Sequence, residues 1–166
     1  MAEMNGIDVD QLRSYIRAVE TDPERADREP VVVARWVGSD ASEVTMADGG
    51  PSVCIGGSDA PSAMRMLLMS MAACDVDLVA SRAALIGVEL DDLSVEARGH
   101  FNVARYLGLA STDGPGYDRV SYTVRVQPKN ATADQLAELR AACREASPVG
   151  DTLQRNVDVT FEFEVA

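Results

Sequence analysis

The chain has 166 residues, of which 46% are hydrophobic and 25% charged, a composition that fits one soluble domain able to bury a core without disulfides. Its formal net charge of −12 repels phosphates and anionic lipids, so we expect neither nucleic acid nor a membrane as a partner. Three cysteines without C-x-x-C spacing and a single histidine argue against a disulfide framework and a metal site. We also expect no cofactor. Without a signal-peptide pattern, a cytoplasmic location is expected.

The first predicted element is a short amphipathic helix near the N-terminus. Asp8 and Gln11 have the spacing of a helix-capping pair, and apolar residues from Leu12 to Val19 recur at helical spacing. Residues 21–30 are charged, contain two prolines and have no apolar period, which predicts a linker. We therefore divide the chain into an N-terminal helical extension with its linker, residues 1–30, and one domain over residues 31–166.

Three short strands are predicted next, over residues 31–37, 43–46 and 52–55. Gly38-Ser39-Asp40 and Asp48-Gly49-Gly50 separate them, and both are turn-forming sequences. Strands joined by such short turns pair with their sequence neighbours, so this part of the chain predicts an antiparallel meander.

A long helix is predicted from Pro61 to Ile86, with Gly87 as its C-terminal cap. Apolar side chains point in every direction around this helix, a pattern that predicts burial on all sides. Charged residues interrupt it too often for a membrane span. It carries Cys74 near its middle, and a thiol inside such a layer is either inert packing or a redox site.

The second half of the chain predicts two strands, a helix and a last strand. Apolar and polar residues alternate over 93–103 and again over 120–126, so each strand is half-buried, with His100 on the polar face. A capping-box pattern then opens a helix, whose apolar stripe consists of Leu136, Leu139, Cys143 and Ala146. Residues 157–165 show the clearest alternation in the chain. This order of elements predicts an α+β fold with antiparallel pairing.

Two stretches resemble motifs of the OsmC/Ohr family, the osmotically induced and organic hydroperoxide resistance proteins. Residues 60–74, APSAMRMLLMSMAAC, are similar without gaps to the family's helix motif, G-P-S-P-M-E-L-L-L-A-A-L-A-A-C. Ser147-Pro148-Val149, with Leu153 downstream, resembles the second motif, C-P-V followed by Leu. The resemblance covers residues 31–166. It implies an OsmC-like fold, in which antiparallel sheets surround a long buried central helix in an intertwined homodimer with a cysteine-based site at the interface.

The resemblance also implies roles for single residues. Peroxidatic members use a cysteine held by an arginine and a glutamate, and a second-motif cysteine then forms a disulfide with it. Cys74 matches the peroxidatic position, and Ser147 stands at the resolving position, where it cannot form a disulfide. The glutamate is missing, since its place falls on Met64 or Arg65. Arg35 on the first strand is the best positional candidate for the cation that stabilises the thiolate, and Arg65 is the second.

The other cysteines and acidic residues leave alternatives open. Cys143, one helical turn before Ser147, either substitutes for the resolving thiol or packs in the stripe of its helix, and we favour packing. Cys54 is also expected to be a packing residue. Asp75 is expected to turn away from Cys74, whereas Asp77 would raise the thiol pKa if it faced the same way.

Two functions from different classes follow from these residues. The first is a thiol-dependent redox protein that reduces organic hydroperoxides or a related electrophile through the single Cys74, with an external thiol as reductant. The second is a non-catalytic protein that binds a small apolar ligand on the same scaffold. The four methionines of the predicted helix fit an adaptable apolar pocket as well as a core.

Overall fold

The computed structural model describes residues 3–165, which begin with a small hairpin and a helix. Strand β1 (Glu3–Met4) pairs antiparallel with β2 (Ile7–Asp8), and helix α1 (Val9–Thr21) follows directly. The Asp8 carboxylate accepts a hydrogen bond of 2.9 Å from the Gln11 backbone N–H, so the predicted capping pair is confirmed. The predicted linker contains one turn of 3₁₀ helix at Pro23–Ala26.

The predicted meander is confirmed as a three-stranded antiparallel sheet. Strands β3 (Val32–Gly38), β4 (Ala41–Met46) and β5 (Val53–Gly56) lie in sequence order. Gly56 has φ of +84°, and a Cβ there would lie 2.2 Å from the Asp40 carbonyl oxygen. Only glycine fits where this sheet turns into the following helix.

Helix α2 (Ala63–Leu85) is the long central helix, and Gly87 caps it with φ of +77°, as predicted. Its fully buried residues recur every four positions along one face: Met71, Asp75, Val79 and Ala83. Exposed apolar side chains remain at Met69, on another face, and at Leu67, one turn before Met71 at the start of the buried face. A single chain therefore buries only one face of α2, because one sheet can cover only one face of a helix, and the predicted burial on all sides would need a second subunit.

The N-terminal extension is tied to the end of α2. The Asn5 amide donates a hydrogen bond to the Val88 carbonyl and accepts one from the Leu90 N–H, both at 3.0 Å. Arg13 of α1 donates to the Leu85 carbonyl at 3.3 Å. These bonds satisfy backbone groups just where the helix ends and the next strand begins, so the extension is docked at this junction.

The second half of the chain forms a two-stranded sheet and two helices. Strand β6 (Leu90–Phe101) pairs antiparallel with β7 (Tyr117–Pro128), and His100 is exposed on the polar face, as predicted. Helix α3 (Ala133–Glu145) starts with the predicted capping box of Thr132 and Gln135. Helix α4 (Pro148–Gln154) was not predicted, although Ser147 and Pro148 are typical of a helix N-terminus.

The core lies where α2, α3 and the start of β6 meet. Leu139 on α3 is buried against Ala83 and Val88, and Cys143 is buried one turn further along, whereas Leu136 and Ala146, the ends of the predicted stripe, are exposed. Partly buried residues complete this core: Ile86, Leu90 and Ala131.

The predicted strand over residues 157–165 is not formed. These residues lie after α4 without strand pairing, and their alternating apolar side chains are exposed. The alternation is typical of a β-strand, but no strand within residues 3–165 pairs with this segment. None of the helices in this described range is long and apolar enough to cross a membrane.

Candidate functional site

Cys74 lies near the middle of α2 and is half-buried. It is three residues after the buried Met71, which places it about 60° round the helix from that residue, on the flank of the buried face. The thiol is therefore neither sealed in the core nor fully in solvent. This position leaves room for a second surface to complete its surroundings.

Arg65 cannot serve Cys74 of its own chain. Both residues belong to α2, nine positions apart, which separates them by about 14 Å along the axis and half a turn around it. Arg65 is exposed in the first turn of the helix. No hydrogen bond or ion pair links it to Cys74 in residues 3–165.

Arg35 lies on β3, in the sheet that stands apart from α2. Glu43 on β4 is its direct cross-strand partner, and Cys54 on β5 is in turn opposite Glu43. The sheet approaches α2 of the same chain mainly through β5. Among residues 3–165 of one chain, neither candidate arginine thus forms a hydrogen bond with Cys74.

Ser147 is buried and its hydroxyl has a structural role. Its Oγ accepts a hydrogen bond of 3.1 Å from the Gly150 backbone N–H and so caps α4. A Cβ at Gly150 would lie 2.8 Å from this Oγ, which explains why the turn carries glycine. At the position where the resemblance implies a resolving cysteine, this chain has a helix cap.

The remaining two cysteines differ from each other. Cys143 is only 8% exposed, and its carbonyl accepts a hydrogen bond of 3.5 Å from the Tyr122 hydroxyl. Burial first, and the charge of Asp75 second, raise the pKa of the Cys143 thiol. Cys54, by contrast, is exposed, so its expected packing role is wrong within the single chain. It lies on β5, the edge strand of its sheet that contacts α2.

Asp75 is the residue of this region that the sequence analysis missed. It is 0% exposed, and neither carboxylate oxygen has a hydrogen-bond partner among the described residues. Desolvation and then the charge of Asp75 raise the pKa of Tyr122 on β7. We expected Asp75 to turn away from Cys74, but the complete burial of its side chain was not predicted. The spacing of four from Met71 to Val79 was the available signal.

Two clefts open on either side of Tyr122. One, of about 490 Å³, lies between β7 and α4, and the other, of about 430 Å³, lies between β7 and α3. Tyr122 and Arg144 line both clefts, and Cys143 lines the second. No group of histidine, cysteine and acidic residues suited to a metal ion occurs within residues 3–165.

Comparison with known proteins gives one family and one fold. Residues 56–162 match the model of the family described as OsmC-like protein. No curated protein is significantly similar to the chain in sequence. An OsmC-like protein from Mycoplasma pneumoniae is 15% identical, with a TM-score of 0.63 over 77% of this chain and 89% of that protein.

Two further solved structures have the same fold. An OsmC-like protein of unknown function from Vibrio cholerae is 12% identical, with a TM-score of 0.61 over 77% of this chain and 95% of that one. An organic hydroperoxide resistance protein from Legionella pneumophila is 17% identical, with a TM-score of 0.55 over 80% of this chain and 94% of that one.

Proposed function

Since this chain belongs to the OsmC-like protein family, we propose that it is a thiol-dependent redox protein that reduces organic hydroperoxides or related electrophiles at Cys74. The observation that carries the proposal is the placement of this thiol. It lies within the matched residues, half-buried on the flank of the central helix, whereas Cys143 is buried on α3 with 8% of its surface exposed. The related fold from Legionella pneumophila belongs to a protein described as an organic hydroperoxide resistance protein.

The proposed reaction needs one protein sulfur and two molecules of an external thiol. The Cys74 thiolate attacks the outer oxygen of the hydroperoxide, the O–O bond breaks, and the alkoxide takes a proton from water to leave as an alcohol. Cys74 is then a sulfenic acid. A small thiol condenses with it and releases water, and a second thiol reduces the mixed disulfide and regenerates Cys74. Ser147 supplies no sulfur to this cycle.

We further propose that the working unit is a homodimer. The sheet β3–β5 contacts its own α2 mainly at β5, and α2 leaves Leu67 and Met69 exposed, so a second copy of the chain would cover both surfaces. The segment 157–165 offers a further alternating apolar row. Apolar side chains left exposed in these parts include Val32, Trp36, Val37, Met69, Val159, Phe161, Phe163 and Val165.

In this dimer Arg35 would serve the Cys74 of the other subunit. Its strand projects away from α2 of its own chain, and a second subunit docked on the flank of α2 would bring a β3 strand close to the thiol. A cation there favours the thiolate. Arg65 lies on the opposite side of α2 from Cys74 of its own chain, so it too could act only across subunits. Arg35 is the better candidate because it projects from a sheet that lacks a covering helix.

The experiment is peroxide consumption with matched cysteine variants. Cumene hydroperoxide is supplied with excess dithiothreitol, and its loss is followed for the natural chain, Cys74→Ser and Cys143→Ser. We expect turnover to disappear in Cys74→Ser and to persist in Cys143→Ser. Intact mass after excess peroxide without thiol should show two added oxygens, mapped to Cys74 as sulfinic acid. Equal turnover in Cys74→Ser would refute the proposal, and so would a Cys74–Cys143 disulfide as the intermediate.

The second candidate function is binding of a small apolar ligand, favoured by the exposed Leu67 and Met69 on α2. This function needs no thiol, so Cys74→Ser should bind an apolar fluorescent probe as tightly as the natural chain. If Cys74 also stays unmodified under excess peroxide, binding replaces catalysis as the conclusion. For either function we propose a cytoplasmic location, because three unpaired cysteines suit a reducing compartment.

A further inference from the structure

The buried carboxylate of Asp75 has no structural explanation within the fold. A polar group sealed in a core is normally hydrogen-bonded, since burying it unpaired is costly. Asp75 is fully buried, and both its oxygens lack hydrogen-bond partners among residues 3–165. An apolar residue of similar size would serve the packing of α2 better. The acid is therefore best explained by what it does to its neighbours.

Its neighbours follow from the way α2 and α3 pack. Ala83 on α2 contacts Leu139 on α3, and one turn away Val79 lines the same cleft as Leu139 and Cys143. The two helices therefore run in opposite directions along this contact. One turn before Val79, the next α2 residue on this face is Asp75, which lies beside the end of α3 that carries Cys143.

Tyr122 closes the cluster from the sheet. It lines the clefts on both sides, and its hydroxyl donates a hydrogen bond to the Cys143 carbonyl. The charged residues that line the two clefts beside Tyr122 are Arg140 and Arg144 on α3 and Asp118 and Arg119 on β7. All four are exposed, and none forms a hydrogen bond with Asp75. A thiolate at Cys143 would thus face the buried Asp75 carboxylate, which is not paired with a cation.

We propose that Asp75 is a specificity-determining residue, whose buried carboxylate keeps Cys143 a neutral thiol and so confines oxidation to Cys74. This inference rests on the proposed function. Cys143 lies one helical turn before Ser147, close to the position where a resolving thiol is implied. A reactive sulfur there would compete for the Cys74 sulfenic acid or for peroxide itself. Only the thiolate does this chemistry. Burial first and the charge of Asp75 second raise the pKa of Cys143, so the carboxylate adds to a suppression that burial begins.

The first test isolates Cys143 and measures its ionisation. In a chain with Cys54→Ser and Cys74→Ser, the rate of iodoacetamide alkylation is measured from pH 6 to 10. Asp75→Asn removes the charge at nearly constant volume. Asp77→Asn is the matched control, because it removes a charge from the exposed side of the same helix. We expect Asp75→Asn to lower the midpoint by about one pH unit, or about tenfold faster alkylation at neutral pH.

Loosened packing has a different signature from a lost charge. Loosened packing would let water reach Cys143 and would also lower the midpoint, but by more in the smaller Asp75→Ser than in Asp75→Asn, because burial is the first cause of the raised pKa. A lost charge predicts the same midpoint in both neutral variants, so a larger shift in Asp75→Ser would overturn the inference, as would equal shifts in Asp75→Asn and Asp77→Asn. Asp75→Ser, which is smaller and also neutral, provides a second variant if the amide does not fold. It should lower the midpoint in the same direction.

The second test uses the natural cysteines and one equivalent of cumene hydroperoxide, read by mass mapping. In the natural chain we expect oxygen only on Cys74, and in Asp75→Asn a share of the oxidation on Cys143. Cys143 that stays fully reduced in Asp75→Asn, while Cys74 is oxidised, contradicts the assignment. If Cys74 of the natural chain does not react, the proposed function fails, and the alkylation midpoint alone then decides whether Asp75 controls Cys143.

Discussion

Two regions of this chain differ in whether their apolar side chains are buried or exposed. Around α2, α3 and the β6–β7 sheet, the apolar stripes predicted from sequence meet one another, and Val79, Ala83 and Leu139 are buried within one chain. In the β3–β5 sheet and in residues 157–165, equally regular apolar patterns face solvent, with Trp36 77% and Phe161 81% exposed.

This difference shows what a periodic apolar pattern in the sequence can predict and what it cannot. Alternation tells which side of a strand is suited to burial, but it does not say whether the covering surface belongs to the same chain. The same holds for α2, whose apolar faces exceed what its own sheet covers. The first region is complete in one subunit, and the second region is where we expect a partner.

The largest effect should come from charging the exposed segment. Phe161→Asp combined with Phe163→Asp places two carboxylates where we expect an apolar subunit contact, so the dimer should dissociate at micromolar concentration. Sedimentation velocity measures this directly. Glu162→Gln combined with Glu164→Gln, in the same segment, is the matched control and should leave the dimer intact. A folded natural chain that sediments as a monomer at this concentration would refute the dimer itself.

In the region around α2, α3 and the β6–β7 sheet, truncation of a core residue should lower the free energy of unfolding. Leu139→Ala removes a side chain that is 3% exposed and leaves a cavity between α2 and α3, which should cost about 2–5 kcal/mol in the free energy of unfolding. Leu136→Ala, one turn earlier and partly exposed, should cost less than half as much. Urea unfolding gives both values. Equal losses at the two sites would mean that the buried face of α3 is assigned incorrectly.

Much of the fold was predictable, because local rules decided it. Turn sequences predicted the meander, the capping box predicted the start of α3, and Gly87 predicted the end of α2. The fold class followed from the order of elements and from the resemblance of residues 60–74 to a family motif. In each case the signal lies within a few residues of the structure that it specifies.

The site was less predictable, because its features depend on tertiary placement. The burial of Asp75 depends on what α3 and β7 place around it, and polar residues are usually assigned to the surface. Cys54 looked like a packing residue in an apolar strand, yet its strand lies at an edge. Helix α4 was missed because its seven residues contain no full apolar period.

The hydrogen bonds from Asn5 to residues 88 and 90 dock the N-terminal extension, so replacing Asn5 should lower the stability of the fold by a moderate amount. Asn5→Ala removes both hydrogen bonds to the end of α2 and replaces asparagine, which tolerates φ of +55°, by alanine, which does so less readily, so the loss should be about 1–3 kcal/mol. Asn5→Gly loses the same bonds but tolerates the backbone angle, so it should cost less than Asn5→Ala. Thermal unfolding of the two variants separates the two contributions. Two variants as stable as the natural chain would show that the extension is not docked in solution.

The smallest effect concerns acid stability on the open face of the β6–β7 sheet. Glu96 accepts hydrogen bonds from Arg98 and Arg125, and these bonds, together with the positive charges, lower the pKa of Glu96 from its ordinary value of 4.5. Because its folded pKa is depressed, the carboxylate stabilises the fold above about pH 4.5, and this contribution is lost as pH falls through the lower folded value.

Glu96→Gln should therefore lower the melting temperature slightly at pH 7, and the difference from the natural chain should shrink below pH 4.5. The effect is small because the network is exposed and screened by water and salt. Glu43→Gln, a carboxylate of the β3–β5 sheet without a described ion pair, is the control. A Glu96→Gln difference that stays constant from pH 7 to pH 3 would show that the arginine contacts do not hold the charge of Glu96. The network lies within one chain, so its pH dependence should be the same whether or not the subunits associate.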